Sequence, residues 1–269
     1  VNAKTQPMTP RTPVAPSHAA TLVLLRDRSG GGVEVLLIQR HAISKFAAGD
    51  FVFAGGKIET GDMPADAEAG CVGITADEAR VRLGDLSSAR LAFGHWAGAI
   101  REAFEEVGIL LASGPDGSLL RLSGEKEARF EDYRRACQRD GSAFWRMLKE
   151  ERLRLATDRL VYIAHWITPE ENPIRFDTRF FAAEAPPEQE ATADNQEIVG
   201  VRWLSPAEAL DAQRRGEISL RLPTIKSLGL VDGPSVAEVL AGLDGRSVPT
   251  IRPRVIGEGL DRQVFLPRD

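Results

Sequence analysis

Cysteine is scarce: Cys71 and Cys137 are the two in 269 residues, too few for a disulfide framework and without the spacing of a zinc site. A reducing compartment is expected. No run of about 18 apolar residues is available to span a bilayer, and the first seventeen residues offer no apolar h-region of a secretory signal. Both absences predict a cytoplasmic chain with no membrane partner. A basic excess is lacking too: Lys and Arg number 34 against 39 Asp and Glu, a formal net charge of -5. That balance argues against an extended nucleic-acid surface built on phosphate neutralisation. What remains is ordinary globular composition, 43% apolar and 27% charged, enough for one large domain with a sizeable core.

Residues 1–18 carry Pro7, Pro10, Pro13 and Pro16 among small polar residues and are expected to form a loose, extended tail. Order is expected from Ala19, through a single domain over 19–269. Ala20–Leu25 and Val33–Ile38 are apolar, β-rich runs around Gly30-Gly31-Gly32, which predicts a hairpin. Phe51-Val52-Phe53 enters the pair Gly55-Gly56, where a missing Cβ permits close approach of a ligand or another chain segment. Residues 63–96, rich in Gly and Ala, and 118–156 interrupt the pattern as insertions. The first carries a helix start at Thr75–Glu78, and the second two helices that break near Asp140-Gly141. Strands are expected over 160–167, 179–183 and 198–204. Helices follow Ser205-Pro206-Ala207-Glu208 and Ser235-Val236-Ala237-Glu238, both with a capping serine and a glutamate three residues on.

The most informative stretch is Arg101-Glu102-Ala103-Phe104-Glu105-Glu106-Val107-Gly108-Ile109. At about 100° per residue, Glu102, Glu105 and Glu106 share one face of a helix while Ile100, Ala103, Phe104 and Val107 take the other. Gly108 marks its end. Like charges at i, i+3 and i+4 repel, and the C-terminal dipole disfavours anions, so a positive group is needed to compensate. A cluster of hard oxygen donors suits Mg²⁺ or Mn²⁺. A solvated acidic helix face is the plainer account of Glu-x-x-Glu-Glu alone.

The surrounding pattern resembles the Nudix hydrolases, with signature G-x5-E-x7-R-E-U-x-E-E-x-G-U, U being aliphatic. Gly56–Asp62 matches its first part with Asp62 in place of Glu, and Arg101–Ile109 its second, with Ala103 at the first aliphatic place. Residues 63–100 stand where the signature has seven. That split box is similar to the coenzyme A and acyl-coenzyme A diphosphatases of peroxisomes and their bacterial relatives. Phe51–Gly56, His165–Pro169 and Arg175–Phe181 resemble the same branch, so the likeness spans roughly residues 19–230.

The resemblance implies a Nudix-type α/β/α sandwich with a mixed sheet and helical insertions. It implies that Glu102, Glu105, Glu106 and the Gly55 carbonyl bind Mg²⁺ or Mn²⁺, with Arg101 orienting the glutamates and Asp62 supporting them. A later carboxylate acts as ligand or base; Glu197 is favoured over Asp194 and Glu184. Catalysis is thus assigned to Glu102, Arg101 and Glu197, and substrate contact to Arg40, Lys57 and Arg179. Lys45 could also meet phosphate, and Arg179 could instead pair with Asp177. Residues 66–92 are expected to serve as a lid or specificity wall, and 125–154 as a second wall. His18, His41, His95 and His165 show no metal-ligand spacing, and His95 beside Trp96 is read as packing; none is nominated for the site.

The implied substrate is a small nucleotide derivative, coenzyme A or acyl-coenzyme A first. ADP-ribose, a dinucleotide, a damaged nucleotide or a non-catalytic ligand sensor are the alternatives. A homodimer is left open. The terminal Leu266–Asp269 is not a peroxisomal Ser-Lys-Leu address, which favours a bacterial cytoplasm.

Overall fold

Nine consecutive parallel pairs, from Ser17 opposite Phe176 to Leu25 opposite Glu184, join β1 (Ser17–Asp27) to a strand more than 150 residues away and set the centre of a mixed sheet. A computed structural model describes residues 13–44, 47–256 and 263–266 of the chain. Pro7, Pro10, Lys45 and Pro267–Asp269, named above, lie outside the described residues. β1 begins two residues before the expected Ala19, where the Ser17 N–H donates to the Arg175 carbonyl at 3.0 Å; the Arg175 guanidinium also donates to the Val14 carbonyl at 2.6 Å.

β2 (Val33–Arg40) completes the predicted hairpin, with Leu25 opposite Val35 and Asp27 opposite Val33. β3 (Phe51–Val52) and β4 (Ala54–Lys57) follow, then α1 (Ala76–Leu83), α2 (Ala89–Val107) and β5 (Ala112–Ser113). The second insertion supplies α3 (Glu125–Arg139), α4 (Ser142–Glu150) and β6 (Arg154–Leu155). The chain returns to the sheet with β7 (Val161–Ile167), β8 (Phe176–Glu184) and β9 (Ile198–Leu204). It continues through α5 (Pro206–Arg214), α6 (Leu222–Leu230), α7 (Val236–Leu243), β10 (Thr250–Ile251) and the hairpin β11 (Arg254–Ile256) and β12 (Gln263–Phe265). The sheet runs β10-β7-β8-β1-β2-β3, with β4 paired to β1 and β9 to β2.

Alternation along the strands feeds two cores, as expected for a sandwich. Ala20, Leu22 and Leu24 face α2 together with Trp96, Ile100 and Phe104. Val23, Leu25, Leu37 and Phe180 face the other way, against Leu228, Val236 and Val239 of α6 and α7. α6 was not expected from sequence; its signal is Pro223 in the first turn.

The helix that carries the acidic segment begins well before that segment. Residues 89–96 belong to α2, whose apolar period of Ala92, Phe93, Trp96, Ala97 and Ile100 continues upstream of the acidic segment. The glycines there are packing sites: a Cβ on Gly94 would lie 2.7 Å from Met63 Cγ, and one on Gly98 2.8 Å from Ile58 Cδ1. The Ser88 hydroxyl caps α2 by accepting from the Leu91 N–H, and Gly108, at φ 76°, ends it as predicted.

Candidate active site

The last two turns of α2 reach the β4 edge of the sheet, where Arg101 organises the acids around it. It is nearly fully buried, and burying a charge is tolerable only when it is paired and hydrogen-bonded. Its Nε donates to Asp62 Oδ1 at 2.6 Å, Nη1 to Glu105 Oε2 at 2.8 Å and Nη2 to the Lys57 carbonyl at 2.9 Å. Glu102 Oε1 stands 2.9 Å from Nη2. Asp62 is fixed in turn by the Glu59 N–H at 2.8 Å. The first half of the split signature thus meets the second through one guanidinium fork, whose planar donors suit several oxygens at once.

Gly55 and Gly56 bring the backbone against these carboxylates. A Cβ on Gly56 would lie 2.5 Å from Glu102 Oε1, and one on Gly55 2.4 Å from the Ala20 carbonyl. The bare Gly55 N–H donates to Glu106 Oε2 at 2.8 Å, and Arg40 Nη1 reaches Glu106 Oε1 at 3.5 Å. Burial pushes Glu102 up to about 7, and burial with the nearby Glu102 charge raises Glu106 well above the ordinary glutamate range. Burial raises Glu105 as well, and its buried Oε1 has no hydrogen-bond partner among the described residues. Three anionic oxygen donors short of positive charge, one of them orphaned, fit a divalent cation.

These groups line a cavity of about 930 Å³. Lys57, Arg40 and Glu197 also line it, as does Asp194. Asp194 is engaged in shaping its loop: Oδ1 accepts the N–H groups of Gln196, Glu197 and Ile198 at 2.9, 3.0 and 2.9 Å. Glu197 is largely exposed, 3.7 Å from Arg40. Glu184, at the end of β8, does not reach the cavity.

Arg179 requires a correction. It sits on the opposite face of the sheet, wholly buried, outside the cavity. Nη1 donates to Asp177 at 2.6 Å and Nη2 to both oxygens of Asp85 at 2.7 Å. Alternation along β8 gives the reason: Phe176, Thr178 and Phe180 face the cavity, so Arg179 cannot. Asp85, His165 and Asp177 do form a compact group of potential ligand atoms within 4.8 Å, yet Arg179 already pairs with both carboxylates. His165 belongs to this group, its Nε2 2.5 Å from Asp177 Oδ1. His95 is packing as expected, its Nδ1 2.9 Å from the Leu91 carbonyl oxygen.

None of residues 60–100 lines the cavity, so the first insertion is not the wall expected of it. It holds the far side of the sheet through Asp85. The second insertion does reach the site through Gln138. Buried Arg134 was missed by sequence reading: Nε donates to the Glu105 carbonyl at 2.9 Å and Nη2 to the Glu106 carbonyl at 2.6 Å, while Nη1 holds Thr192 Oγ1 at 3.0 Å. Gln138 donates to the Glu105 carbonyl at 2.7 Å. A cation at a helix C-terminus satisfies its last carbonyls and opposes the repulsion of acids placed there. Nothing in the local sequence of α3 marks either residue.

Comparison with known proteins places the chain in a family. A sequence model of the NUDT19 Nudix domain matches residues 14–230. Among curated proteins, acyl-coenzyme A diphosphatase NUDT19 of Xenopus laevis is 29% identical over 226 residues, covering 72% of this chain and 58% of the relative. That of Gallus gallus is 30% identical over 232 residues, covering 72% and 60%. The chain therefore spans about 60% of the length of these relatives. A solved Nudix hydrolase from Alicyclobacillus acidocaldarius shares the fold, with TM-score 0.70 at 23% identity over 87% of this chain and 99% of that one. With the split signature reunited at Arg101 and the family match covering most of its length, this chain belongs to the NUDT19 Nudix family.

Proposed function

We propose that this chain is a divalent-metal-dependent hydrolase that opens a diphosphate linkage in coenzyme A or an acyl-coenzyme A, giving the 4′-phosphopantetheine portion and adenosine 3′,5′-bisphosphate. The observation that carries this is the convergence of Glu102, Glu105 and Glu106 on the Gly55-Gly56 edge inside a cavity, read together with the relatives named acyl-coenzyme A diphosphatase. Glu102, Glu105, Glu106 and the Gly55 carbonyl would hold Mg²⁺ or Mn²⁺. When bound, such ions neutralise phosphate oxygens and activate water. Arg101 orients Glu102 and Glu105, and Asp62 holds Arg101. Arg40 and Lys57 supply positive charge to the substrate phosphates. Glu197, the exposed carboxylate at the rim, is the candidate to accept a proton from the attacking water. Asp194 shapes the loop that carries it.

No described helix is long and apolar enough to cross a membrane, in keeping with a substrate taken from water. The test is turnover with Mg²⁺ or Mn²⁺ of a panel comprising coenzyme A, acetyl-coenzyme A, ADP-ribose, NADH and diadenosine polyphosphates. Hydrolysis of the coenzyme A compounds is expected; preference for another member would reassign the substrate, and no turnover would favour a ligand sensor. Glu106→Gln keeps an oxygen for the Gly55 N–H but removes a charge, so activity should fall by more than the roughly 100-fold seen for outer-shell partners of metal ligands. Full activity in that variant would remove Glu106 from the ligand set.

A further inference from the structure

Sheet register divides the cavity into two chemically different halves. Lys57, Ala19, Thr178 and Trp166 form one row across β4, β1, β8 and β7. Gly55, Thr21 and Phe180 form the next. Both rows line the cavity. Three strand spacings of about 4.8 Å place Trp166 about 14 Å from the glycine edge. Between them the floor is small, made by Ala19, Thr21 and Thr178. Beyond it stand Trp166, Phe176 and Phe180, and the same cavity is lined by Val255 and Val264, which are cross-strand partners in the β11–β12 hairpin. Every cavity residue contributed by β7, β8 and their connection is uncharged. The basic groups Arg40 and Arg221 stand instead towards β2 and β3, beside Glu106 and Asp50.

From this polarity we infer that the cavity has a built subsite for a linear apolar arm. The arm runs from the Gly55-Gly56 edge across Ala19 and Thr178 and ends between Trp166, Phe176 and the Val255–Val264 pair. This rests on the proposed hydrolysis of coenzyme A derivatives, and it assigns the acyl end of the substrate to that subsite and the phosphorylated nucleoside end to the Arg40 side. A purine ring with its ribose phosphate is the poorer occupant, because no charged group among the described cavity residues of β7, β8 and the β11–β12 hairpin is there to meet the phosphate. A methylene chain needs apolar contact only, and each buried CH₂ strengthens binding about fourfold. Val255 and Val264 are thereby specificity-determining residues.

The experiment measures kcat/KM for free, acetyl- and octanoyl-coenzyme A with the full chain and with Val255→Asp and Val264→Asp. Both substitutions lie on the peripheral hairpin, with Val264 exposed, so the fold is retained. For the unmodified chain, the octanoyl compound is expected to exceed the acetyl by about tenfold or more through KM. Either aspartate should lower the octanoyl-to-free ratio at least about fivefold, because a carboxylate facing the methylene chain loses water when the chain binds. Absence of chain-length dependence, or equal losses on free and octanoyl substrates in both variants, would overturn the subsite. The second result would place the nucleoside half there. Failure of the unmodified chain to hydrolyse any coenzyme A compound would sink the hydrolase proposal itself.

Discussion

Gly56 shows how little freedom a single position has when backbone and carboxylate meet. Its missing Cβ leaves the space that Glu102 fills at 2.5 Å, so Gly56→Ala must displace that side chain. Activity should fall at least about tenfold with the melting temperature nearly unchanged, because the flexible glutamate can move. Gly55→Ala meets the backbone of β1 instead and should cost about 2 kcal/mol in denaturant unfolding, within the range for overpacking. Arg134 is the complementary case, a buried side chain with four acceptors among Glu105, Glu106 and Thr192. Arg134→Lys keeps the charge but loses the fork. Assayed at a temperature where both proteins are folded, it should lower kcat about tenfold with a smaller change in KM, as the last turn of α2 loosens. A uniform loss in line with unfolded fraction would reduce Arg134 to a structural role. Gly56 and the three glutamates stood out in the sequence through their likeness to the split Nudix signature. Arg134 did not, since its role is defined by acceptors 28 to 58 residues away.

Among the elements, α2 carries most of the meaning. Its start, cap and end follow local rules, with Ser88 and Gly108 at the two termini, yet the Gly and Ala content of 89–98 concealed its first turns. Those small residues serve close contacts with Ile58 and Met63, which no helical propensity encodes. The segment ahead of it, containing α1, reaches the sheet through Asp85, whose bidentate pairing to buried Arg179 spans 94 residues. Removing one partner of a buried pair leaves an uncompensated charge. Asp85 is partly exposed and Asp177 remains, so Asp85→Asn should destabilise by roughly 2 kcal/mol in chemical unfolding. Because Arg179 neighbours Thr178 and Phe180 in the cavity wall, KM should rise as well. An unchanged unfolding midpoint would show that the insertion is not anchored there. β8 illustrates the same limit: alternation fixes which of its residues share a face, but only its partners reveal which face is the cavity.

Across the whole molecule, opposing titrations should bound stability. Glu102 rises from 4.5 to about 7 through burial, so its protonated form favours the fold and that stability is lost as pH climbs through this window. His95 is held down to about 3 by burial, from 6.5, so its contribution is complete above 6.5 and lost as pH falls below it. Melting temperature in EDTA should therefore be highest between about pH 4.5 and 6.5, where the two trends offset, and fall on either side. Mg²⁺ or Mn²⁺ should raise it more at pH 8 than at pH 5.5, because protons compete for the same carboxylates. A cation effect independent of pH would contradict binding at Glu102, Glu105 and Glu106. The sequence by itself determined the strand pair around Gly30–Gly32, the acidic face of α2, its end at Gly108 and the capped starts of α1, α5 and α7, because each is written in residues within a few positions of one another. Only the tertiary structure decided that Arg101 closes the split signature, that Arg179 faces away, that Arg134 braces the last turn of α2 and that the described cavity residues from β7 and β8 are uncharged. Those outcomes depend on which faces and chain segments, far apart in sequence, share a core.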